Sequence, residues 1–167
     1  MVDVGSGAGL PGLVLAIARP DLRVVLVEPL ARRTAFLTEA VPALGLAGSV
    51  TVARARAEEY AATGAEPADV VTARAVAPLD RLAGWCLPLL RQGGRLLALK
   101  GASAASEIGE HRAAVHRLGG GAAELRRCGV GLIEPPTTVI EISRDRIVPP
   151  GARRGGPDAR ATRRRGR

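Results

Sequence analysis

The sequence predicts an α/β fold with a mainly parallel sheet, and two observations support this class. Short apolar runs alternate with longer segments of helical character, which is the pattern of repeated βαβ units. The chain has 167 residues, of which 47% are hydrophobic, so it can bury the core of one ordinary domain but not of two. We therefore expect one domain over residues 1–150 and a separate segment over residues 151–167.

The predicted strands are short apolar or β-branched runs bounded by glycine, proline or charged residues. In chain order they lie at residues 1–4, 23–27, 50–53, 68–72, 95–99, 124–127, 131–133 and 138–142. The last three follow one another without a helix between them, so we expect them to close the sheet.

The predicted helices lie between the earlier strands, at residues 10–19, 30–44, 79–91 and 104–118. Glycines mark the ends of three of them, because glycine adopts the left-handed conformation that closes a helix. These glycines are Gly45, the pair Gly93 and Gly94, and Gly119. Pro11 fits the first turn of the first helix, where a backbone N–H would have no partner.

The basic charge is concentrated at the end of the chain. The formal net charge is +8, and residues 151–167 contain seven arginines and one aspartate, which leaves +2 for the rest. A segment of glycine, proline and arginine without apolar periodicity is expected to be disordered when free. It either binds RNA phosphates through counterion release or serves only as a solvating tail.

Several functional classes are disfavoured by composition. Cys86 and Cys128 form no C-x-x-C or Cys/His cluster, and His111 and His116 lack metal-ligand spacing, so we expect a reduced, cytoplasmic protein without a metal. No apolar run approaches the length of a membrane span, so no membrane partner is expected. Aromatic residues make up 2% of the chain, which argues against a large aromatic platform for stacking bases.

A glycine-rich turn follows the first predicted strand, with Gly5, Gly7 and Gly9 at alternate positions. Glycines placed between a strand and a helix let the backbone approach a ligand that any Cβ would repel. Residues 7–12 also satisfy G-x-G-x-x-G, which by itself makes NAD a candidate. Asp3 argues against NAD, because its carboxylate would repel a pyrophosphate but attract a cationic amino-acid group.

Glu28 stands at the end of the second predicted strand, where carboxylates bind the ribose diol of nucleotides and of S-adenosylmethionine. The turn and Glu28 together predict a cofactor site at the carboxyl ends of the strands. From this reasoning the expected cofactor-binding residues are Asp3, Gly5, Gly7, Gly9 and Glu28.

Residues 3–12 resemble the first motif of class I S-adenosylmethionine-dependent methyltransferases, and their extension Leu10-Pro11-Gly12 is similar to that of the RsmG family, also called glucose-inhibited division protein B. Similar pieces follow in the family's order over residues 2–143: Glu28 with Arg32-Arg33 and Phe36-Leu37, Arg56-Ala57-Glu58-Glu59, Thr72-Ala73-Arg74-Ala75, and Leu99-Lys100-Gly101. The first motif is generic, whereas the ordered set is specific. The resemblance implies a Rossmann-like, mainly parallel sheet with helices on both faces.

The resemblance also implies an activity, the transfer of a methyl group from S-adenosylmethionine to N7 of a guanine in 16S ribosomal RNA. The implied partner is this RNA or the small ribosomal subunit, and a monomer is expected. Guanine N7 has a lone pair and carries no proton, so the transfer needs alignment rather than a general base. The lack of a catalytic histidine or cysteine is therefore expected.

Site residues follow from the resemblance position by position. It adds Leu10, Ala57, Glu58 and Arg74 to the expected cofactor site. The residues expected to contact RNA are Arg32, Arg33, Arg56 and Lys100, and those expected nearest the chemistry are Arg74 and Lys100. Purely structural roles remain possible for some of these residues. Glu58 could be a solvated carboxylate, Arg32 and Arg33 could form a solvated helix face, and Arg74 could form an ion pair with Asp69 or Asp80.

Two other functions stay open at this point. The chain could be a methyltransferase of small molecules or proteins, because the cofactor half is better specified than the substrate half. It could also be an inactive, RNA-binding remnant, since the family has a helical region ahead of the first motif that this chain lacks. The first strand begins at Met1 itself, so we expect a segment to be missing in front of it.

Overall fold

The computed structural model describes residues 1–74 and 77–149, and it confirms the α/β class. Its strands are β1 Val2–Val4, β2 Val24–Val27, β3 Val50–Ala53, β4 Ala68–Arg74, β5 Leu90–Lys100, β6 Gly120–Cys128 and β7 Thr137–Arg144. Its helices are α1 Gly12–Ala18, α2 Ala31–Ala43, α3 Ala57–Ala62, α4 Leu79–Cys86 and α5 Ala104–Arg117. The basic segment, residues 151–167, lies outside the described residues, so the division at residue 150 stays a prediction.

The strands form one sheet in the order β3-β2-β1-β4-β5-β7-β6. β1 to β5 pair in parallel, whereas β7 runs antiparallel to β5 and β6 antiparallel to β7. Parallel neighbours need helical crossovers, which cover the faces of the sheet. The carboxyl ends of β1 to β5 therefore lie side by side along one edge of the sheet, called the carboxyl edge below.

Helices cover both faces of the sheet, as expected, because successive strand residues point to opposite sides. Val24 and Leu26 of β2 are buried in one cluster with residues of α1 and α2. Val27 of the same strand is buried in a second cluster, with residues of α4 and α5. The sheet thus separates two apolar cores.

The helix predicted over residues 79–91 is too long. It ends at Cys86, and a 3-10 turn over Leu87–Leu89 leads into β5. Pro88 has no N–H to donate back into the helix, and its ring would clash with the preceding turn. Gly93 and Gly94 consequently lie inside β5 and do not close a helix.

These two glycines allow a bulge in β5. Leu90 pairs with Ala68 of β4, but the next pair is Arg95 with Val70, so the β5 strand has extra residues opposite β4. Gly93 has a φ of 78°, and a Cβ on Gly94 would lie 2.9 Å from the Asp69 carbonyl oxygen. The strand predicted over residues 95–99 therefore begins at Leu90, ahead of the apolar run on which the prediction was based.

Two further predictions need correction. Residues 131–133 form a turn and not a strand, because the amides of Leu132 and Ile133 both donate to the Gly129 carbonyl. No helix was predicted where α3 lies. Its start is marked by Glu59, whose carboxylate accepts the Arg56 N–H at 2.8 Å in the manner of a capping box. No helix among the described residues is long and apolar enough to cross a membrane.

Candidate functional site

The glycine turn lies at the carboxyl edge, directly after β1, and its glycines serve different ends. The Gly5 N–H donates to the Val27 carbonyl at 2.8 Å, which fixes the turn to β2. Gly5, Gly7 and Gly9 have φ values of 69°, 59° and 90°, a region that other residues rarely adopt. A Cβ on Gly9 would strike Leu13 at 2.2 Å, whereas one on Gly7 would meet only the Gly5 carbonyl oxygen at 3.9 Å. Gly9 thus serves packing, and the space beside Gly7 is open to a ligand.

Asp3 lies beneath this turn, with 1% of its surface exposed. The Thr72 hydroxyl donates to one carboxylate oxygen at 2.7 Å, and the Gly12 N–H donates to the other at 3.2 Å. Burial raises the pKa of Asp3, although these hydrogen bonds act in the opposite direction. Asp3 therefore joins β1, β4 and α1, and a direct bond to a cofactor stays a prediction.

Glu28 is the acidic residue nearest the open side of the turn. It is 2% exposed, and its two carboxylate oxygens accept the N–H groups of Gly7 at 2.9 Å and Leu30 at 3.0 Å. Each carboxylate oxygen can accept a further hydrogen bond. The structure thus brings Glu28 and the glycine turn together, and it holds the carboxylate in one orientation for a hydroxyl donor.

An apolar pocket opens beside the turn, at the start of α3. Its walls combine the ends of β1 and β2 with the first residues of α3 and one residue of α4: Val4, Gly5, Val27, Pro29, Ala55, Arg56, Ala57, Glu58 and Trp85. Three of the predicted cofactor residues, Gly5, Ala57 and Glu58, line it. The walls are mainly apolar, with the Glu58 carboxylate among them. Such a pocket can accommodate a flat, largely apolar ring system.

Trp85 also lines this pocket, although it was not among the predicted site residues. Trp85 stands four residues after Arg81 on α4, and the guanidinium carbon of Arg81 lies 5.1 Å from the centre of its ring. The signal available was the chain's single tryptophan on an amphipathic helix. That signal does not say which strand ends the ring would face.

A second, more polar cleft adjoins the first on the β3 side. It is lined by Gly5, Glu28, Pro29, Leu30, Arg33, Arg54, Ala55, Arg56 and Glu59. Two of the predicted RNA-contacting residues, Arg33 and Arg56, thus converge with Arg54, which the sequence reasoning missed. Arg32 is exposed on the same turn of α2. Leu10, a predicted cofactor residue, is 39% exposed at the end of the glycine turn.

Arg74 is exposed at the end of β4, opposite Leu99 of β5. Among the described residues it forms no ion pair with Asp69 or Asp80: Asp69 pairs with Arg91 at 2.6 Å, and the Nδ1 atom of His111 lies 3.8 Å from Asp80 Oδ1. Arg74 thus lies at the carboxyl edge, one strand away from Gly5, and its role in the site stays a prediction.

Lys100, at the end of β5, has a different environment from the one expected for an RNA contact. Its side chain is 6% exposed, and its ammonium donates to the Glu107 carboxylate at 2.7 Å and to the Ala77 carbonyl at 2.6 Å. Burial alone would raise the pKa of Glu107, but hydrogen bonds from Lys100 and Ser103 hold it below its ordinary value. Lys100 is thus engaged in a buried ion pair, and its contact with RNA stays a prediction.

The chain resembles proteins of one family over most of its length. The family described as GidB, rRNA small subunit methyltransferase G, matches residues 1–131. Ribosomal RNA small subunit methyltransferase G of Salinispora arenicola is 73% identical over 152 residues, which cover 89% of this chain and 63% of that protein. The protein of the same name from Mycolicibacterium smegmatis is 49% identical over 168 residues, which cover 100% of this chain and 70% of that protein. The chain thus spans roughly two thirds of the length of these relatives.

Solved structures share the fold. An rRNA methylase from Streptococcus thermophilus matches 86% of this chain and 84% of its own, with a TM-score of 0.61 and 18% identity. The S-adenosylmethionine-dependent methyltransferase SibL matches 87% of this chain and 50% of its own, with a TM-score of 0.66 and 19% identity. At such identities the likeness establishes the class I methyltransferase fold alone. The match over residues 1–131, together with these highly identical relatives, establishes that the chain belongs to the GidB family, rRNA small subunit methyltransferase G.

Proposed function

We propose that this chain provides the catalytic domain of an S-adenosylmethionine-dependent methyltransferase that modifies N7 of a guanine in 16S ribosomal RNA. The observation that carries the proposal is the pairing of the glycine turn with Glu28 beside an apolar pocket, in a chain of this family. The protein would act on the small ribosomal subunit, as a cytoplasmic monomer that needs no metal and no membrane.

The residues at the carboxyl edge fit this cofactor. Glu28 would accept hydrogen bonds from the ribose diol, while the apolar pocket at Ala57 and Trp85 would take the adenine ring, with Glu58 at its rim. The open side of Gly7 and the turn at Gly5 would let the rest of the molecule approach the backbone. When bound, S-adenosylmethionine supplies an electrophilic methyl group on a sulfonium centre.

The protein's task in the reaction is alignment. Guanine N7 carries no proton, so the residues of this chain would have to hold the base in line with the methyl group, and none of them would need to move a proton. Arg74 would orient the base by donating to guanine O6 or to a neighbouring phosphate, which leaves the N7 lone pair free to react. Arg32, Arg33 and Arg56 would hold neighbouring phosphates, and Lys100 would add a contact from the end of β5.

Methyl transfer to purified small subunits tests the activity. The chain is incubated with S-adenosylmethionine labelled in the methyl group and with either small subunits, free 16S ribosomal RNA or total cell protein. We expect label in a single 7-methylguanine of the ribosomal RNA, with the Salinispora arenicola relative as the positive control. Label in protein or in small molecules, with none in ribosomal RNA, would contradict the proposed substrate. RNA binding without transfer would make the chain a binding remnant.

Calorimetry tests the cofactor independently of the substrate. S-adenosylhomocysteine, which lacks the methyl group, should bind with 1:1 stoichiometry, and NADH should give no heat of binding. Binding of NADH alone would mean that the G-x-G-x-x-G spacing at residues 7–12, and not the carboxylates of Asp3 and Glu28, defines the ligand.

A further inference from the structure

One exposed apolar segment at the carboxyl edge has no part in the site described above. It is the connection between β6 and β7, residues 129–136, called the β6–β7 loop below. Lys100 of β5 pairs with Thr138 of β7, and Cys128 of β6 pairs with Thr137. Because β7 runs antiparallel to β5, this loop leaves the sheet at the same edge as the glycine turn.

The loop is closed by its own hydrogen bonds and presents apolar side chains outward. Gly129 and Gly131 both have a φ of 77°, and a Cβ on Gly129 would lie 2.7 Å from the Ile133 side chain, which folds back over it. Leu132 is 87% exposed and Val130 67% exposed. Ile133 is also 50% exposed, so three apolar side chains are exposed within four residues of one turn. Clustered exposure of this kind is typical of interaction sites.

The position of the loop indicates its partner, because the RNA of the proposed function must approach the same edge of the sheet. The exposed charge at the loop has both signs, with Glu134 inside it and Arg127 before it. Arg127 is exposed just before the loop, on the neighbouring strand end, and among the described residues no carboxylate forms an ion pair with it. Arg74 is exposed two strands further along the same edge. With the spacing of sheet strands, the loop base lies about 14 Å from Gly5, which is within the reach of one or two nucleotides.

The proposed reaction requires a contact that unstacks the target guanine. N7 faces the major groove, which in an A-form RNA helix is deep and narrow, so a guanine must leave its stack before N7 can reach a cofactor held at the edge of a sheet. Aliphatic side chains inserted between bases unstack them. The few aromatic residues of the chain, Phe36, Tyr60 and Trp85, all lie on other elements, so none of them can stack on a base at this loop.

We propose that Leu132, supported by Val130, is an aliphatic wedge that enters the RNA stack next to the target guanine, with Arg127 holding the adjacent phosphate. The inference rests on the proposed function, since it assigns a substrate contact to that reaction. Leu132 is therefore a positioning residue, which acts on the base and does not contact the transferred methyl group.

Variants at Leu132 test the wedge by RNA binding as well as by turnover. Leu132→Asp should weaken binding of 16S ribosomal RNA about tenfold and lower methyl transfer at least as much, with unchanged affinity for S-adenosylhomocysteine. Leu132→Trp should retain or improve RNA binding, because an aromatic ring stacks on any base. Ile147→Asp is the matched control: Ile147 is 64% exposed but follows β7 at the opposite edge, so this variant should bind RNA like the parent.

The results separate this inference from the proposed function. Equal RNA affinity of Leu132→Asp and Ile147→Asp would overturn the wedge while leaving methyl transfer intact. Loss of binding to vesicles of anionic lipid in Leu132→Asp, with RNA affinity unchanged, would also overturn it and would indicate a membrane contact. RNA binding that depends on Leu132 in a chain without transferase activity would support the wedge and refute the proposed reaction.

Discussion

At the scale of single residues, positive φ and ligand access impose different requirements on glycine. Gly7 and Gly45 have similar backbones, with φ of 59° and 71°, and a Cβ on either would meet no close neighbour. Gly7 borders the candidate cofactor site, whereas Gly45 closes α2. The pair can therefore separate backbone strain from exclusion of a ligand.

We expect Gly7→Val to lose S-adenosylhomocysteine binding by about 100-fold or more, because the side chain would occupy the space where the ligand approaches the backbone. Both variants should lower the free energy of unfolding by about 1–2 kcal/mol, because valine is strained at a positive φ. Gly45→Val should keep full affinity for S-adenosylhomocysteine. Calorimetry and urea denaturation measure the two effects. Retained affinity in a folded Gly7→Val protein would place the ligand elsewhere.

Asp3 gives a prediction about pH. Burial raises its pKa, so the folded protein keeps the Asp3 proton at pH values where the unfolded chain has lost it. The contribution of this group to stability therefore falls as the pH rises from its ordinary pKa of 3.8 through the raised value. Asp3→Asn cannot ionise, so its free energy of unfolding should gain on that of the parent over this range. If the free energies of unfolding of the parent and of Asp3→Asn changed in parallel with pH, the pKa of Asp3 in the folded protein would be its ordinary value.

At the scale of elements, the buried pair of Lys100 and Glu107 fastens the end of β5 to α5. We expect Lys100→Met to lower the free energy of unfolding by about 2–3 kcal/mol, because it leaves the Glu107 carboxylate without its cation. Glu107→Gln should cost less, about 1 kcal/mol, since the amide oxygen still accepts a hydrogen bond from Lys100.

The same two variants decide whether Lys100 also contacts RNA. If it does, Lys100→Met should reduce RNA affinity, and Glu107→Gln should retain or increase it, because the ammonium becomes available to phosphate. Filter binding with 16S ribosomal RNA provides the measurement. An equal, small effect of both variants on RNA affinity would leave Lys100 a purely structural residue.

At the scale of the whole molecule, charge and alignment are assigned to different parts of the chain. Removing residues 151–167 takes away +6 of the formal +8 charge, so RNA binding should weaken and its salt dependence should flatten, with cofactor affinity unchanged. Arg74→Ala should have the opposite profile, lowering methyl transfer with little change in the salt slope, because one residue makes few phosphate contacts. An unchanged salt slope after the deletion, or full turnover in Arg74→Ala, would contradict this division of roles.

The α/β class, the strands β2 and β3, the glycine turn and its partner Glu28 could all be predicted from the amino-acid sequence. These features are local: they follow from apolar runs, from glycines between a strand and a helix, and from an acid at a strand end. The end of α4 was misread for a related reason, since Gly93 and Gly94 resemble a helix stop whereas they relieve the close approach of β5 to Asp69.

The meeting of distant side chains depends on the packing of the whole fold. Trp85 reaches the cofactor pocket from α4, Arg54 joins the basic cleft from the end of β3, and Glu107 neutralises Lys100 from α5. Contacts of this kind depend on the order of the strands and on the register of β5 against its neighbours. Neither is encoded in local periodicity, because a strand's own residues fix which face is buried but not which strand lies beside it.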